Sequence, residues 1–139
     1  METIAAAFGL VFEPYTLFVI LLAAIFGLFV GAVPGLTATM ATALLVPVTF
    51  FMPPVPAIAA LVTATAMAIF SGDIPGALMR IPGTPASAAY TDESYMMTKN
   101  GEAETVLGAD LVFSVIGGIF GTIVLVLAAP TLDEPARHW

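Results

Sequence analysis

Residues 15–33 read YTLFVILLAAIFGLFVGAV, with no charge and no strong turn signal before the end. At 1.5 Å per residue a helix of this length reaches roughly 28 Å, enough to cross a bilayer's hydrocarbon core. Residues 111–129, LVFSVIGGIFGTIVLVLAA, have a similar reach. Both are expected to be transmembrane helices. A secretory signal peptide is the rival reading of the first. It fails because the N-terminus carries Glu2 rather than a cation, and the apolar run is too long.

The rest of the chain agrees with lipid as the solvent. Of 139 residues, 60% are hydrophobic and 9% charged, against about 25% charged in ordinary soluble domains. Nothing between Glu13 and Asp73 is charged, nor anything from Leu111 to Leu132. The formal net charge is -7, with Arg80, Lys99 and Arg137 as the cations. That balance excludes nucleic acid as a partner. There are no cysteines, and the single histidine, His138, is next to the C-terminus. Thiol and most imidazole chemistry are thereby removed, no metal site is expected, and the chain reads as a non-enzyme.

Between the two spans the chain is broken by proline. Pro34, Pro47, Pro53, Pro54 and Pro56 all fall within residues 33–56. Irregular backbone at membrane depth must face protein or a watery cavity. Residues 37–51 are read as a short helix bent at Pro47, and residues 57–71 as a second helix of about 22 Å, marginal for a crossing. Together they suggest a broken or re-entrant pair, the kind of element around which transporters build ligand sites. Residues 1–12 suit a short interfacial helix. Thr84 is an N-cap candidate with Pro85 at the first helical position. The helix that follows is expected to stop at Asn100-Gly101. A last helix should start around Glu102 and Glu104 and end at Pro130.

An aliphatic residue followed by Pro-Gly occurs at Val33-Pro34-Gly35, Ile74-Pro75-Gly76 and Ile81-Pro82-Gly83. The first and third lead through a threonine into a helix. Such a start offers free N–H groups and about half a positive charge, an anion site that needs no buried cation. The plainer alternative is that Pro-Gly merely breaks helices between spans. Asp73, at the edge of the uncharged run, is a candidate for the coupling cation, Na⁺ or H⁺, or else an interfacial acid. Arg80 could neutralise a carboxylate or snorkel to the interface. Asp92 and Glu93 could be an acid–base pair or simply solvated charges. Gly27-x-x-x-Gly31-x-x-x-Gly35 and Gly117-x-x-x-Gly121 read as close-packing helix faces.

Three motifs carry a resemblance. They are Gly27-x-x-x-Gly31-x-x-Pro34-Gly35-Leu36-Thr37, Ala43-Leu44-Leu45-Val46-Pro47-x-Thr49-Phe50, and Ile81-Pro82-Gly83-Thr84-Pro85-Ala86-Ser87-Ala88-Ala89. With Gly108, Ser114 and Gly117-Gly118 they resemble the large membrane subunit of the tripartite tricarboxylate transporter family. The resemblance implies an all-α, polytopic, inverted-repeat permease of the inner membrane. It implies cation-coupled symport of di- or tricarboxylates, with no other cofactor. The implied partners are a small membrane subunit and a periplasmic binding protein. Family members are several-fold longer, so residues 1–139 are expected to be an N-terminal part. The substrate-binding candidates are Pro34, Gly35, Leu36, Thr37, Pro82, Gly83, Thr84, Pro85 and Ser87. The competing function class is a membrane scaffold or assembly protein that does not transport.

Overall fold

The computed structural model describes residues 8–136, with side chains through residue 128. The regular structure among the described residues is all helical, with no strand. The helices are α1 (Pro14–Ala32), α2 (Ala38–Thr49), α3 (Pro54–Ser71), α4 (Asp73–Met79), α5 (Thr91–Lys99) and α6 (Ala103–Ala136), with a 3₁₀ turn at Ser87–Ala89. Three stretches are long and apolar enough to cross a membrane: Pro14–Ala32, Pro54–Met79 and Ala103–Ala128. The chain is therefore a polytopic, all-helical membrane protein by length and composition. It divides into two compact units, Met1–Leu107 and Gly108–Trp139. Of the expected interfacial helix at residues 1–12, residues 1–7 lie outside the described residues. Residues 8–11 form one helical turn, in which the Phe12 N–H donates to the Phe8 carbonyl at 3.0 Å.

Proline placement explains the helix boundaries. Pro14 opens α1, and Pro54 and Pro56 lie in the first turn of α3. First-turn N–H groups have no intrahelical acceptor, so a proline there removes nothing. For that reason α3 starts three residues before the expected Ala57, and it runs on almost without a break through Gly72 into α4. The marginal half-helix expected at residues 57–71 is thus part of a stretch of spanning length. Its neighbour α2 stays short at 12 residues, with Pro47 inside it. The last helix also differs from expectation, because its backbone continues past Pro130 to Ala136.

In the first unit α1 lies along α3, and α2 packs on α3 and touches α1. The buried seam is made of small residues. Val19 and Ala23 meet Ala60 and Ala64, and Val30 meets Ala41 and Ala68. Large side chains such as Leu21, Ile25 and Phe29 point outward. Lipid tails are as apolar as leucine, so membrane helices associate through close backbone approach rather than through bulky cores. Gly27 and Gly31 show this directly. A Cβ on Gly27 would collide with the Ala64 backbone, and one on Gly31 would lie 2.7 Å from Ala68 Cα and against Ser71 Oγ.

The second unit is one apolar helix, the continuation of α6. Gly117, Gly118 and Gly121 lie on it with nothing from their own unit against them.

Candidate functional site

The first Pro-Gly motif forms a tight turn. After Ala32 the chain leaves α1, and the Leu36 N–H donates to the Val33 carbonyl at 3.1 Å. Pro34 occupies the second turn position and Gly35 the third, with φ of 92°. That is the type II arrangement, whose third position favours glycine. Thr37 then caps α2, its Oγ1 accepting the Met40 N–H at 3.3 Å. The N–H groups of Ala38 and Thr39 precede any intrahelical acceptor, and the hydroxyl proton of Thr37 remains available. Pro34, Gly35 and Thr37 are exposed, whereas Leu36 is half-buried.

The second motif is pinned more tightly. The Gly83 N–H donates to the Gly72 carbonyl at 3.1 Å. Thr84 and Ser87 then form a reciprocal cap. The Thr84 N–H donates to Ser87 Oγ at 3.0 Å, and the Ser87 N–H donates to Thr84 Oγ1 at 3.0 Å. The Ser87 hydroxyl donates to the Thr84 carbonyl at 2.8 Å, which uses its one proton. Ser87 is buried and holds the loop, while Pro82 and Pro85 are exposed and Gly83 and Thr84 half-buried. Thr84 does not cap a helix as expected: its Oγ1 closes the turn from Thr84 to Ser87, and the 3₁₀ turn that follows is three residues long with Ala86 before it and no side-chain cap. It gives way at Tyr90 to a separate helix, α5. The expected stop at Asn100-Gly101 is present. Gly101 has φ of 88°, its N–H donates to the Thr98 carbonyl, and the Glu102 N–H donates to the Met97 carbonyl.

The second motif is tied to the joint Ser71-Gly72, where α3 meets α4, and the end of α1 that leads into the first motif packs against the same joint. Gly31, three residues before Pro34, packs on Ala68 and Ser71, and the Ser71 hydroxyl points at the Gly27 carbonyl at 3.4 Å. On the other side Gly72 meets Gly83 and Thr84. Asp73 follows immediately as the first residue of α4. Its Oδ1 is buried without a hydrogen-bond partner, although the residue as a whole is only half-buried. The remaining Pro-Gly pair, Pro75-Gly76, is buried inside α4 and opens no helix.

Arg80 ends α4 with φ of 60°. Its Nε donates to Asp92 Oδ1 at 2.7 Å, with 60% and 66% of the two side chains exposed. The hydrogen bond first, and the guanidinium charge second, hold the Asp92 carboxyl below the usual carboxylate range. Asp92 is thus engaged with Arg80, and the structure does not couple it to Glu93 as an acid–base pair. Lys99 lies over the Tyr95 ring, 5.0 Å from its centroid. Among the described residues no group of three acids or histidines could hold a metal ion.

Four hydroxyls are not singled out by the sequence. Thr42 Oγ1 and Thr65 Oγ1 lie 2.8 Å apart and link α2 to α3. Ser71 sits at the α1–α3 crossing. Thr16 is fully buried with no partner for its Oγ1. Their common signal was a hydroxyl inside an apolar run, which is visible in sequence but does not say which helix it meets.

Residues 17–138 match the family described as "Tripartite tricarboxylate transporter TctA family". A relative from Agrobacterium vitis, described as "Uncharacterized 52.8 kDa protein in TAR-I ttuC' 3'region", is 32% identical over 110 residues. The aligned part covers 79% of this chain and 22% of the relative, so the chain spans well under half of that relative's length. No solved structure matches. With the motifs at Pro34 and Pro82 in place and most of its length matched, the chain belongs to the tripartite tricarboxylate transporter TctA family.

Proposed function

We propose that this chain forms part of the permease subunit of a cation-coupled, binding-protein-dependent secondary transporter for di- or tricarboxylates in the inner membrane. A small membrane subunit and a periplasmic binding protein would complete the system. The observation that carries the reading is the joint at Ser71-Gly72, to which the Pro82-Gly83 turn is bonded and against which Gly31, in the last turn of α1 before Pro34-Gly35, packs. A carboxylate entering a membrane must replace its water with other donors. This region offers the N–H groups at the start of α2 and the hydroxyls of Thr37 and Thr84. Helix starts of this kind bind anions without a buried cation. Pro34, Gly35, Leu36 and Thr37 shape one turn, and Pro82, Gly83, Thr84 and Pro85 the other, with Ser87 holding the second in place. Asp73, beside the joint with one buried unpartnered oxygen, is the candidate for coupling Na⁺ or H⁺.

The test is uptake of labelled citrate and shorter dicarboxylates by cells producing the intact system that contains this chain. Uptake should require an imposed Na⁺ or proton gradient, and Asp73→Asn should uncouple the two at normal membrane abundance. Gradient-independent uptake, or full coupling in Asp73→Asn, would remove Asp73 from this role. No uptake of any di- or tricarboxylate by the wild-type system would overturn the transport reading itself.

A further inference from the structure

The turn between α2 and α3 presents apolar surface where a loop in water presents polar groups. It reads Phe50-Phe51-Met52-Pro53-Pro54, inside a run, residues 14–72, that holds no charge. Phe50 is 81% and Phe51 92% exposed, more than any other large apolar side chain among the described residues. Connections between helices ordinarily run through water, which satisfies their free backbone groups. This one carries nothing that water favours.

Its backbone agrees with its side chains. Pro53, Pro54 and Pro56 have no N–H. The Phe51 N–H donates to the Val48 carbonyl at 3.2 Å, and the Met52 N–H to the Thr49 carbonyl at 3.1 Å. The Thr49 hydroxyl donates to the Val46 carbonyl at 2.8 Å. Irregular backbone is ordinarily kept out of lipid because its donors would go unpaired there. Here proline deletes three donors, and tight local bonds satisfy those of Phe51 and Met52. Water would satisfy such groups without this arrangement, so the arrangement points to a medium that offers no hydrogen bonds. The depth of the turn follows from the helices. Gly27 packs on Ala64 and Gly31 on Ala68, so α1 and α3 run in the same direction. Their starts are level, because Glu13 and Tyr15 line one cavity with Pro53 and Pro54. Exposed Glu13 is the charge that precedes the α1 span, and tyrosine favours the membrane–water boundary. The turn therefore stands at the edge of the hydrocarbon, on one face of the bilayer.

We propose that the turn at residues 50–53 is seated in the bilayer itself, with the rings of Phe50 and Phe51 inserted at the boundary between headgroups and acyl chains. Its partner is a lipid surface, rather than water or a second protein. The proposal goes beyond the carboxylate-transport reading and does not depend on it. No cation lies in this stretch, so apolar insertion holds the turn, and attraction to anionic headgroups does not. Seated in this way, the turn fixes the depth at which α3 begins, and with it the height of the Ser71-Gly72 joint at the other end of that helix.

The chain has no cysteine, so single-cysteine variants can be spin-labelled without background. Phe50→Cys and Phe51→Cys are compared in lipid vesicles with Phe29→Cys, on the outward face of α1, and Lys99→Cys, exposed at the end of α5. Collisions of each label are measured with dissolved oxygen, which concentrates in lipid, and with a water-soluble nickel chelate. Labels at positions 50 and 51 should meet oxygen severalfold more than nickel, as at position 29 and opposite to position 99. Nickel collisions equal to those at position 99 would put the turn in water and overturn the proposal. Few collisions with either reagent would mean that another protein segment covers the turn, and would overturn it equally. Phe51→Trp in a Trp139→Phe background keeps an aromatic ring at the site, which guards against a cysteine variant that fails to fold. Its emission should be quenched by acyl chains brominated near the headgroup, and unquenched emission would also reject a seat in the bilayer.

Discussion

Gly83 and Gly72 cross backbone against backbone. The amide of Gly83 donates to the carbonyl of Gly72 at 3.1 Å, and a Cβ on Gly83 would lie 2.8 Å from Gly72 Cα. This crossing sets the second Pro-Gly turn against the end of α3. Gly83→Ala should destabilise the protein by about 1–3 kcal/mol, the usual cost of overpacking a filled site. Thermal unfolding in detergent measures it. An unchanged midpoint would mean that the loop can move away from Gly72 at no cost.

Gly31 and Gly35 are four residues apart but should respond to substitution for different reasons. Gly31→Ala puts a methyl into Ala68 and Ser71 and should separate α1 from α3. Gly35→Ala meets open space and is strained only by its φ of 92°, at about 1–2 kcal/mol. Cross-linking between cysteines introduced on α1 and α3 distinguishes them. It should fall in Gly31→Ala and persist in Gly35→Ala.

Thr37→Val nearly preserves shape and removes the hydroxyl. Loss of the cap on Met40 should cost about 1 kcal/mol of stability. If the hydroxyl also binds substrate, affinity should fall roughly tenfold, as expected for a hydrogen bond to a charged group. Gly35→Val should be worse than Thr37→Val in the binding assay, because it combines backbone strain with blocked approach. Binding titrations checked against expression and folding decide this, and unchanged affinity in both Thr37→Val and Thr84→Val would place the carboxylate elsewhere.

Thr42 and Thr65 should be energetically coupled across the α2–α3 contact. Interhelical hydrogen bonds in membranes average about 0.6 kcal/mol and reach about 1.7 kcal/mol. A double-mutant cycle with Thr42→Val and Thr65→Val should give a coupling in that range. Each hydroxyl also donates to its own helix, Thr42 to Ala38 and Thr65 to Leu61, so zero coupling would mean that those local bonds are the ones that count.

The Arg80–Asp92 pair carries a defined pH dependence. The carboxyl of Asp92 is held below its unfolded value by Arg80. A lowered carboxylate pKa contributes stability above the unfolded pKa, near 3.9, which is lost as pH falls through the folded value. Wild type should therefore lose stability on acidification in that window, and Asp92→Asn should lack this component. Differential scanning across acidic pH reads it, and identical acid profiles would show that the pair contributes nothing.

Much of this structure follows from residues near one another in the chain. The spans at residues 15–33 and 111–129 are set by uninterrupted apolar length, which lipid demands of any crossing helix. The turn at Pro34-Gly35, the cap at Thr37 and the stop at Gly101 depend on φ preferences and hydroxyl reach within a single turn. The span at Pro54–Met79 looks shorter in sequence than it is, because Pro54 and Pro56 look like breakers. Their placement in a first turn, where no donor is lost, is a matter of register.

What the helix docking decided is which equivalent-looking residues differ. Gly27, Gly31 and Gly35 share a spacing of four, yet two are packed against α3 and the third sits in an open turn, because α1 ends between them. Thr84 and Ser87 both carry hydroxyls, but burial and a bond to the Thr84 carbonyl use the proton of Ser87. Arg80 and Asp92 are twelve residues apart, and Thr42 and Thr65 twenty-three. Local propensity reaches one turn along the chain. Pairings over such separations arise only when small residues let α1 and α3 approach closely and the loop after α4 folds back onto Gly72.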